Sequence, residues 1–315
     1  MSFESEMKIY HFGDLKVIES LDKNIDPLDW VEKNKSKLDK EILTHGGILL
    51  RNFNISSVSE FSRFAQFLCP NLLDYTYRST PRTKLGNKIY TATEYPPHLE
   101  IPLHNENSYS LSWPQKIIFF SPLVAANGGE TPVANSRKIY QKIDHSIKEK
   151  FERHDVLYVR NYHEGVDLSW EEVFQTTDPE EVNQYCEQNN INAFWNREHV
   201  PLKTHQICQA TLRHPITNEQ IWFNQAHLFH ISALDQETRA VLIEKFGEKR
   251  LPRNAYYGDG SPIEIEALEH IRAIYEQEKI VFKWQKRDIM ILDNLLMAHG
   301  RQPYQGERKV VVALS

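Results

Sequence analysis

"IPLHNENSYS", residues 101–110, sets a histidine and a glutamate two positions apart at the end of an apolar run, with an asparagine on each side of the glutamate. On an extended strand, residues two apart share a face. The side chains of His104 and Glu106 are therefore expected to point the same way, from Cα atoms roughly 6–7 Å apart. That separation lets both tips reach one small ion. The pattern is weak alone, because His-x-Glu is most often a surface polar pair. A second copy, His98-Leu99-Glu100, stands just upstream behind Pro96-Pro97. The prolines favour a loop there, where alternation of faces does not hold.

The far end of the chain strengthens the reading. "DNLLMAHGRQPYQGERKVVVALS", residues 293–315, puts His299 at the end of an apolar segment and Arg308 at the head of the final strand. Val310, Val312 and Leu314 share a face with Arg308, while Val311 and Ala313 lie on the other with Lys309. Both faces are apolar, as in a strand buried on both sides. An arginine entering such a strand needs an anionic partner, unless it sits solvated at the rim. Two histidines and one carboxylate, with other positions open, match the facial triad of non-haem Fe(II) oxygenases. Zinc takes the same three side chains in a His2Glu site, so the triad does not choose the metal. "NGGETPVANS", residues 127–136, reads alone as a hairpin turn at Gly128-Gly129 with Thr131 entering the next strand.

Working outward, Asp26, Pro27 and Gly46-Gly47 bracket a helix over about 27–44. "GILLRNF" reads as a buried strand. "SVSEFSRFAQFL" opens with Ser57 and Glu60 at capping-box spacing and predicts a second helix. This α-β-α opening gives way to strands at "KIIFF", "TPVAN", "VLYVRNY", "HQICQATLR" and "EQIWFNQ", with a hairpin turn at "RHPITNEQ". Helical insertions fall near 136–150 and 178–189, and further helices near 234–246 and 262–279. Strands return at "IVFKW", "DIMIL", "LMAHGR" and "RKVVVAL". "GDG" at 258–260 reads as a turn. The fold class is mainly β with flanking helices, a jelly-roll core in one domain spanning residues 1–315 with the N-terminal helix and strand elements packed on it.

The 315 residues carry a formal charge of −6, which argues against a nucleic-acid binder. No apolar stretch is long enough for a membrane helix, and the N-terminus shows no signal-peptide pattern. Cys69, Cys186 and Cys208 are too scattered for a zinc cluster or disulfide framework. A cytoplasmic location is expected.

"LHNENSY", "FFSPLVAANGGETPVANS" and "WQKRDIMILDNLLMAHGRQPYQGERKVVVAL", supported by "TATEYPP", "FNQAHLFH" and "LPRNAYYGDG", resemble the TauD/TfdA-type 2-oxoglutarate-dependent dioxygenases. The likeness runs from about Tyr75 to Ser315. It is strongest to the branch that includes the syringomycin-pathway aspartyl hydroxylase, whose members act on amino acids in natural-product (antibiotic) biosynthesis. The resemblance implies that His104, Glu106 and His299 bind Fe(II). It also implies that Thr131 and Arg308 hold the far carboxylate of 2-oxoglutarate, with O2 as the second co-substrate; Arg301 is the alternative clamp. A guanidinium suits a carboxylate better than an ammonium does. Glu106 stands where halogenases of this fold carry a small residue, so oxygen transfer is expected rather than chlorination. Val312 stands where taurine-type members carry a sulfonate-binding arginine.

The resemblance leaves the substrate side open. Arg82, Asn107, Tyr109 and Asn224 are the candidates to contact it, with Gln225 beside the last. Arg82 is equally readable as a solvated charge and Asn107 as a support for Glu106. His227 and His230 read as pocket-wall supports rather than a second metal pair, and Asp293 as a turn-fixing residue. The expected substrate is an amino acid, free or tethered to a carrier protein. Arg78, Arg82, Lys84 and Lys88 form a basic stretch that would suit an acidic carrier. A zinc hydrolase on the same His2Glu set and a non-catalytic jelly-roll binding protein remain the alternatives.

Overall fold

The structure, a computed structural model, describes residues 6–77, 79–196 and 200–315. An eight-stranded sheet forms its backbone. Edge to edge, the strands are Met7–Phe12, Leu15–Ser20, Gly47–Arg51, Ile289–Asp293, Lys116–Leu123, Lys309–Leu314, Ile89–Thr91 and Lys84–Gly86. All neighbours are antiparallel except Leu15–Ser20 with Gly47–Arg51. That parallel pair needs a crossover, and helix Pro27–His45 supplies it.

Alternation along the central strands divides their side chains between two cores. Ile118, Phe120, Ile289, Ile291, Val311 and Ala313 face helices Pro27–His45 and Val58–Leu68, where they meet Val31, Leu38, Phe61 and Phe64. Phe61 stacks on Phe120 with ring centroids 5.3 Å apart. Burying each such ring contributes about 1.5–3 kcal/mol. Ile117, Phe119, Met290, Leu292, Val310, Val312 and Leu314 face the other way, into the jelly-roll interior with Val133, Met297, Phe282 and Trp284. The final strand is thus buried on both sides, as its composition predicts.

The interior is closed by a smaller layer. One sheet orders Ile101–His104, Met297–Arg301 and Val133–Asn135, and a two-stranded piece pairs Tyr304–Gln305 with Asn127–Gly128. A separate four-stranded sheet, Asn192–Asn196, Val200–Cys208, Val156–Asn161 and Arg253–Tyr257, carries its own aromatic core. The hairpin Thr211–Arg213/Gln220–Trp222 and helix Ile265–Glu278 flank it. The capping box of Ser57 and Glu60 forms, and Asp26 caps the first long helix by accepting from the Leu28 N–H.

Three expectations change. The chain opens with a β-hairpin, Met7–Ser20, ahead of the first helix. Its first strand is a mostly solvated edge, so its sequence carries little apolar alternation. "IVFKW" is not a strand: Ile280 makes one bridge to Val133 and residues 281–284 join no sheet. Phe282 and Trp284 are nonetheless buried while Val281 and Lys283 are exposed, so the alternation recorded one-sided burial, not a ladder. The insertion near 136–150 is two helices, Ser136–Lys142 and His145–His154.

Candidate metal centre

His299 and His104 are cross-strand partners in the smaller sheet, and Val133 flanks His299 on its other side. The imidazole centroids of His104 and His299 are 4.7 Å apart. The strands approach closely here: a Cβ on Gly300 would lie 2.5 Å from the Ile101 carbonyl oxygen. Only glycine fits that contact. Glu106 differs from expectation, because its strand ends at His104. It lies in the following turn, where Asn107 takes a positive φ of 54°. Its carboxylate still converges with the histidines, reaching within 3.6 Å of His299 Nε2. One donor atom from each of His104, Glu106 and His299 lies within 4.8 Å of the others.

The protonation states suit a cation. His104 Nδ1 lies 2.8 Å from the Pro102 carbonyl, which can only accept. Nδ1 therefore carries the proton, leaving the Nε2 lone pair for a metal. Burial, with His299 beside it, pushes the His104 imidazole down to about 4, so it is neutral at physiological pH. Burial alone would raise the Glu106 carboxyl. The Arg82 guanidinium and the two histidines outweigh it and hold the carboxyl well below the usual range.

Next to the triad, a cleft is lined by His104, His299, Phe119, Thr131, Arg301 and Arg308, among others. Arg308 Nε donates to the Gly129 carbonyl (2.9 Å), and Nη2 lies 3.4 Å from Thr131 Oγ1. Trp284 Nε1 donates to the same hydroxyl at 3.0 Å. Gly129 has φ +74°, and a Cβ there would meet Arg308 Cδ at 2.9 Å. The Gly-Gly turn therefore makes room for the guanidinium. Arg308 has no carboxylate partner among the described residues. Burial, with Arg301 nearby, pulls it down to about 10, still charged at neutral pH. A largely buried, unpaired guanidinium beside a hydroxyl fits a carboxylate ligand.

The sequence matches the family described as "Taurine catabolism dioxygenase TauD, TfdA family" over residues 17–314. The chain belongs to this family. It is 41% identical over 277 residues to the dapdiamide synthesis protein DdaC of Enterobacter agglomerans, covering 88% of this chain and 84% of that protein. It is 26% identical over 294 residues to a clavaminate synthase-like protein of Arabidopsis thaliana (90% and 86% covered). PvcB of Pseudomonas aeruginosa has the same fold, with a TM-score of 0.55 at 15% identity, covering 100% of this chain and 92% of that one. A second PvcB structure, described as an Fe, alpha-ketoglutarate dependent oxygenase from an isonitrile synthetic pathway, scores 0.54 at 14% identity (100% and 93% covered). The protein is a TauD/TfdA-family dioxygenase dependent on iron and 2-oxoglutarate. The hydrolase and binding-protein alternatives fall away.

Beside His104 and Glu106 of this dioxygenase, a second cleft is lined by Arg82, Asn107, Tyr109, Gln225, Phe229 and Arg253, among others. Arg82 is not a solvated charge. It is 7% exposed and pairs through Nη2 with Glu106 Oε2 at 2.8 Å. The described lysines of the basic stretch both have partners. Lys84 pairs with Asp74, Lys88 Nζ donates to the Leu72 carbonyl, and Arg78 lies outside the described residues. Asn107 accepts from the Tyr109 hydroxyl (3.2 Å) rather than holding Glu106, and Tyr109 also donates to the Tyr77 carbonyl. Asn224 is absent from the cleft wall. It is fully buried, donating to the Ala210 carbonyl and accepting from the Ala226 N–H. Its neighbour Gln225 lines the cleft and donates to the Asn105 carbonyl.

Other residues support the dioxygenase site from behind. His227 Nε2 bonds the Leu103 carbonyl (3.1 Å) and stacks on Tyr275, while His230 caps the Ile231–Ala233 turn. Asp293 accepts from the Leu295 and Leu296 N–H groups and contacts His214. Arg301 donates through Nη1 and Nη2 to the carbonyls of Tyr95, Pro96 and Leu99 and so braces a loop, while its buried Nε has no partner. Val312 is packed in the interior core, away from both clefts. Sequence reading missed Asn294, whose side chain grips the peptide group of Glu106, and Trp284. No local signal marks either, since both act across long sequence separations.

Proposed function

We propose that His104, Glu106 and His299 hold the iron, that Arg308 and Thr131 hold 2-oxoglutarate, and that the reaction hydroxylates an unactivated C–H bond. The substrate is an amino acid or a carrier-tethered aminoacyl group in a biosynthetic pathway. The observation that carries this reading is the convergence of three metal-capable donor atoms within 4.8 Å, beside an arginine with no carboxylate partner among the described residues. The 41% identity to a dapdiamide synthesis protein supports the biosynthetic setting.

Bound iron supplies the redox chemistry that couples oxidative decarboxylation of 2-oxoglutarate by O2 to C–H oxidation. The protein's residues supply position and electrostatics. His104 presents Nε2 because Pro102 fixes its tautomer. Arg82 keeps Glu106 ionised. Arg308 and Thr131 set the reach of the co-substrate, and Phe119, edge-on to His299 at 5.2 Å, keeps water from that side of the imidazole.

The test is to load the purified protein anaerobically with Fe(II) and 2-oxoglutarate, then admit air with a panel of free and carrier-loaded amino acids. Succinate formation coupled to a product heavier by about 16 mass units, the mass of one inserted oxygen, supports hydroxylation. A product two mass units lighter means desaturation, and oxygen-independent turnover overturns the reading. A complex with the loaded carrier that weakens with salt, absent for the free amino acid, assigns the tethered substrate.

A further inference from the structure

Resting on the iron and 2-oxoglutarate reading above, we propose that Arg82 anchors a free carboxylate of the substrate. The substrate, free or thioester-bound, is then an acid that keeps one ionised carboxyl group.

The guanidinium of Arg82 is buried where both clefts meet and lines each of them. Its face lies over the Tyr75 ring, 4.4 Å from the centroid. Nη2 is committed to Glu106 Oε2 at 2.8 Å, with Thr93 Oγ1 at 3.4 Å. Nε and Nη1 are buried and have no hydrogen-bond partner. Buried guanidinium N–H groups are rarely left so, and each costs free energy until an acceptor arrives.

Holding Glu106 does not require an arginine. A single neutral amide would donate the same bond without setting a positive charge beside a divalent cation, which opposes metal binding at this range. The charge balance of the clefts supplies the reason. Four arginines line them, Arg82, Arg253, Arg301 and Arg308, against one lining carboxylate, Glu106. Asp167 neutralises Arg253 through a two-point contact. A divalent metal and doubly charged 2-oxoglutarate cancel each other, so loading leaves the positive excess standing. An anionic substrate reduces it, and the N–H groups of Arg82 that lack a partner give its carboxylate a donor. The cleft beside Arg82 mixes Ile101, Leu228 and Phe229 with Gln225 and Tyr109, which suits a short apolar stem behind the carboxylate. A thioester-bound aminoacyl group whose only carboxyl is consumed in the thioester does not meet this requirement; one with a side-chain carboxylate does.

The experiment titrates small mono- and dicarboxylic acids and acidic amino acids, each paired with its methyl ester, into protein loaded anaerobically with Mn(II) and 2-oxoglutarate. Calorimetry reads binding without turnover. In the wild type, at least one acid is expected to bind at least about tenfold more tightly than its ester, since a site with unpaired donors rejects a ligand that cannot fill them. In Arg82→Gln the acid and ester should agree within about twofold while Mn(II) still binds. Arg82→Lys, which keeps the charge but loses the fork, should fall between. Wild-type protein that binds no acid, or binds ester and acid alike, overturns the proposal without reference to any variant. So does an Arg82→Gln protein that keeps the preference. If 2-oxoglutarate fails to bind the Mn(II) protein, the reading of Arg308 and Thr131 falls and this proposal with it. If 2-oxoglutarate binds and acids show no preference, this proposal alone falls.

Discussion

Asn294 grips the peptide group of Glu106 from both sides: its Oδ1 accepts the Glu106 N–H at 2.8 Å and its Nδ2 donates to the Glu106 carbonyl at 3.0 Å. The same Nδ2 reaches the Pro114 carbonyl, and Asn105 bonds the Asn294 carbonyl. Glu106 lies beyond the end of its strand, so no ladder fixes it, and this amide clasp takes the ladder's place. Replacing Asn294 with Ala leaves buried peptide groups unpaired, a cost of about 2–3 kcal/mol. It should also weaken Mn(II) binding roughly 10- to 100-fold, as loss of residues that orient metal ligands does. Urea unfolding and Mn(II) titration check the two parts; unchanged metal affinity would remove Asn294 from the account.

Arg308 and Gly129 form one device. Arg308→Gln should raise the dissociation constant of 2-oxoglutarate by about 30-fold or more, the equivalent of about 2 kcal/mol lost from a charge pair. Gly129→Ala should move the same constant in the same direction, because its Cβ would press on Arg308 Cδ. Neither change touches the triad, so Mn(II) affinity in the absence of 2-oxoglutarate should hold. Calorimetric titration of 2-oxoglutarate into Mn(II)-loaded protein measures both, and a Gly129→Ala protein with normal affinity would separate the turn from the clamp.

Far from the clefts, Arg51 and Asp288 make a buried two-point pair, Nε to Oδ1 at 3.1 Å and Nη2 to Oδ2 at 2.7 Å. Asp288 also accepts from the Gln285 N–H. It ties strand Gly47–Arg51 to the turn before Ile289–Asp293. Asp288→Ala strands a buried guanidinium and should cost about 3–5 kcal/mol, read as a lower urea midpoint. A loss below about 1 kcal/mol would mean that water or a shift of Lys283 compensates.

Stability of the metal-free protein should fall with acid. Burial pushes His227 down from 6.5 to about 3 and His230 down to about 4. Such imidazoles take a proton more readily in the unfolded chain. The stability they contribute is complete above about pH 6.5 and is lost as pH falls toward their folded values. His227→Gln should flatten the dependence between pH 6 and pH 4 by up to roughly 1.4 kcal/mol per pH unit, one proton's worth. Denaturant melts at several pH values test it, and equal slopes in the two proteins would contradict it.

The parts of the fold legible in the sequence were those written locally. The helix expected over 27–44 runs Pro27–His45 because Asp26 and Gly46 bound it by their own chemistry. The final strand declared two buried faces, and each face joins a different core. The residues proposed for the metal and co-substrate share clefts in the structure, because short motifs at strand ends carry them. What was illegible depends on the far side of the molecule. Arg82 read equally as a substrate contact and as a solvated charge, since its partner Glu106 is joined to it only through the fold. Asn224 and Gln225 are adjacent, and only tertiary packing decides that Gln225 meets the cleft while Asn224 turns to the Ala210 carbonyl. Asn294 stands next to Asp293 in "LDN", and reading the aspartate as the turn residue hid the clasp beside it.

Anomalous diffraction from crystals grown with Mn(II) and 2-oxoglutarate under anaerobic conditions tests the central claim most directly. The account predicts a single strong peak about 2.0–2.3 Å from one atom each of His104, Glu106 and His299, with the far carboxylate of the co-substrate on Arg308 and Thr131. A peak bound elsewhere, or a co-substrate whose far carboxylate avoids Arg308, would contradict it.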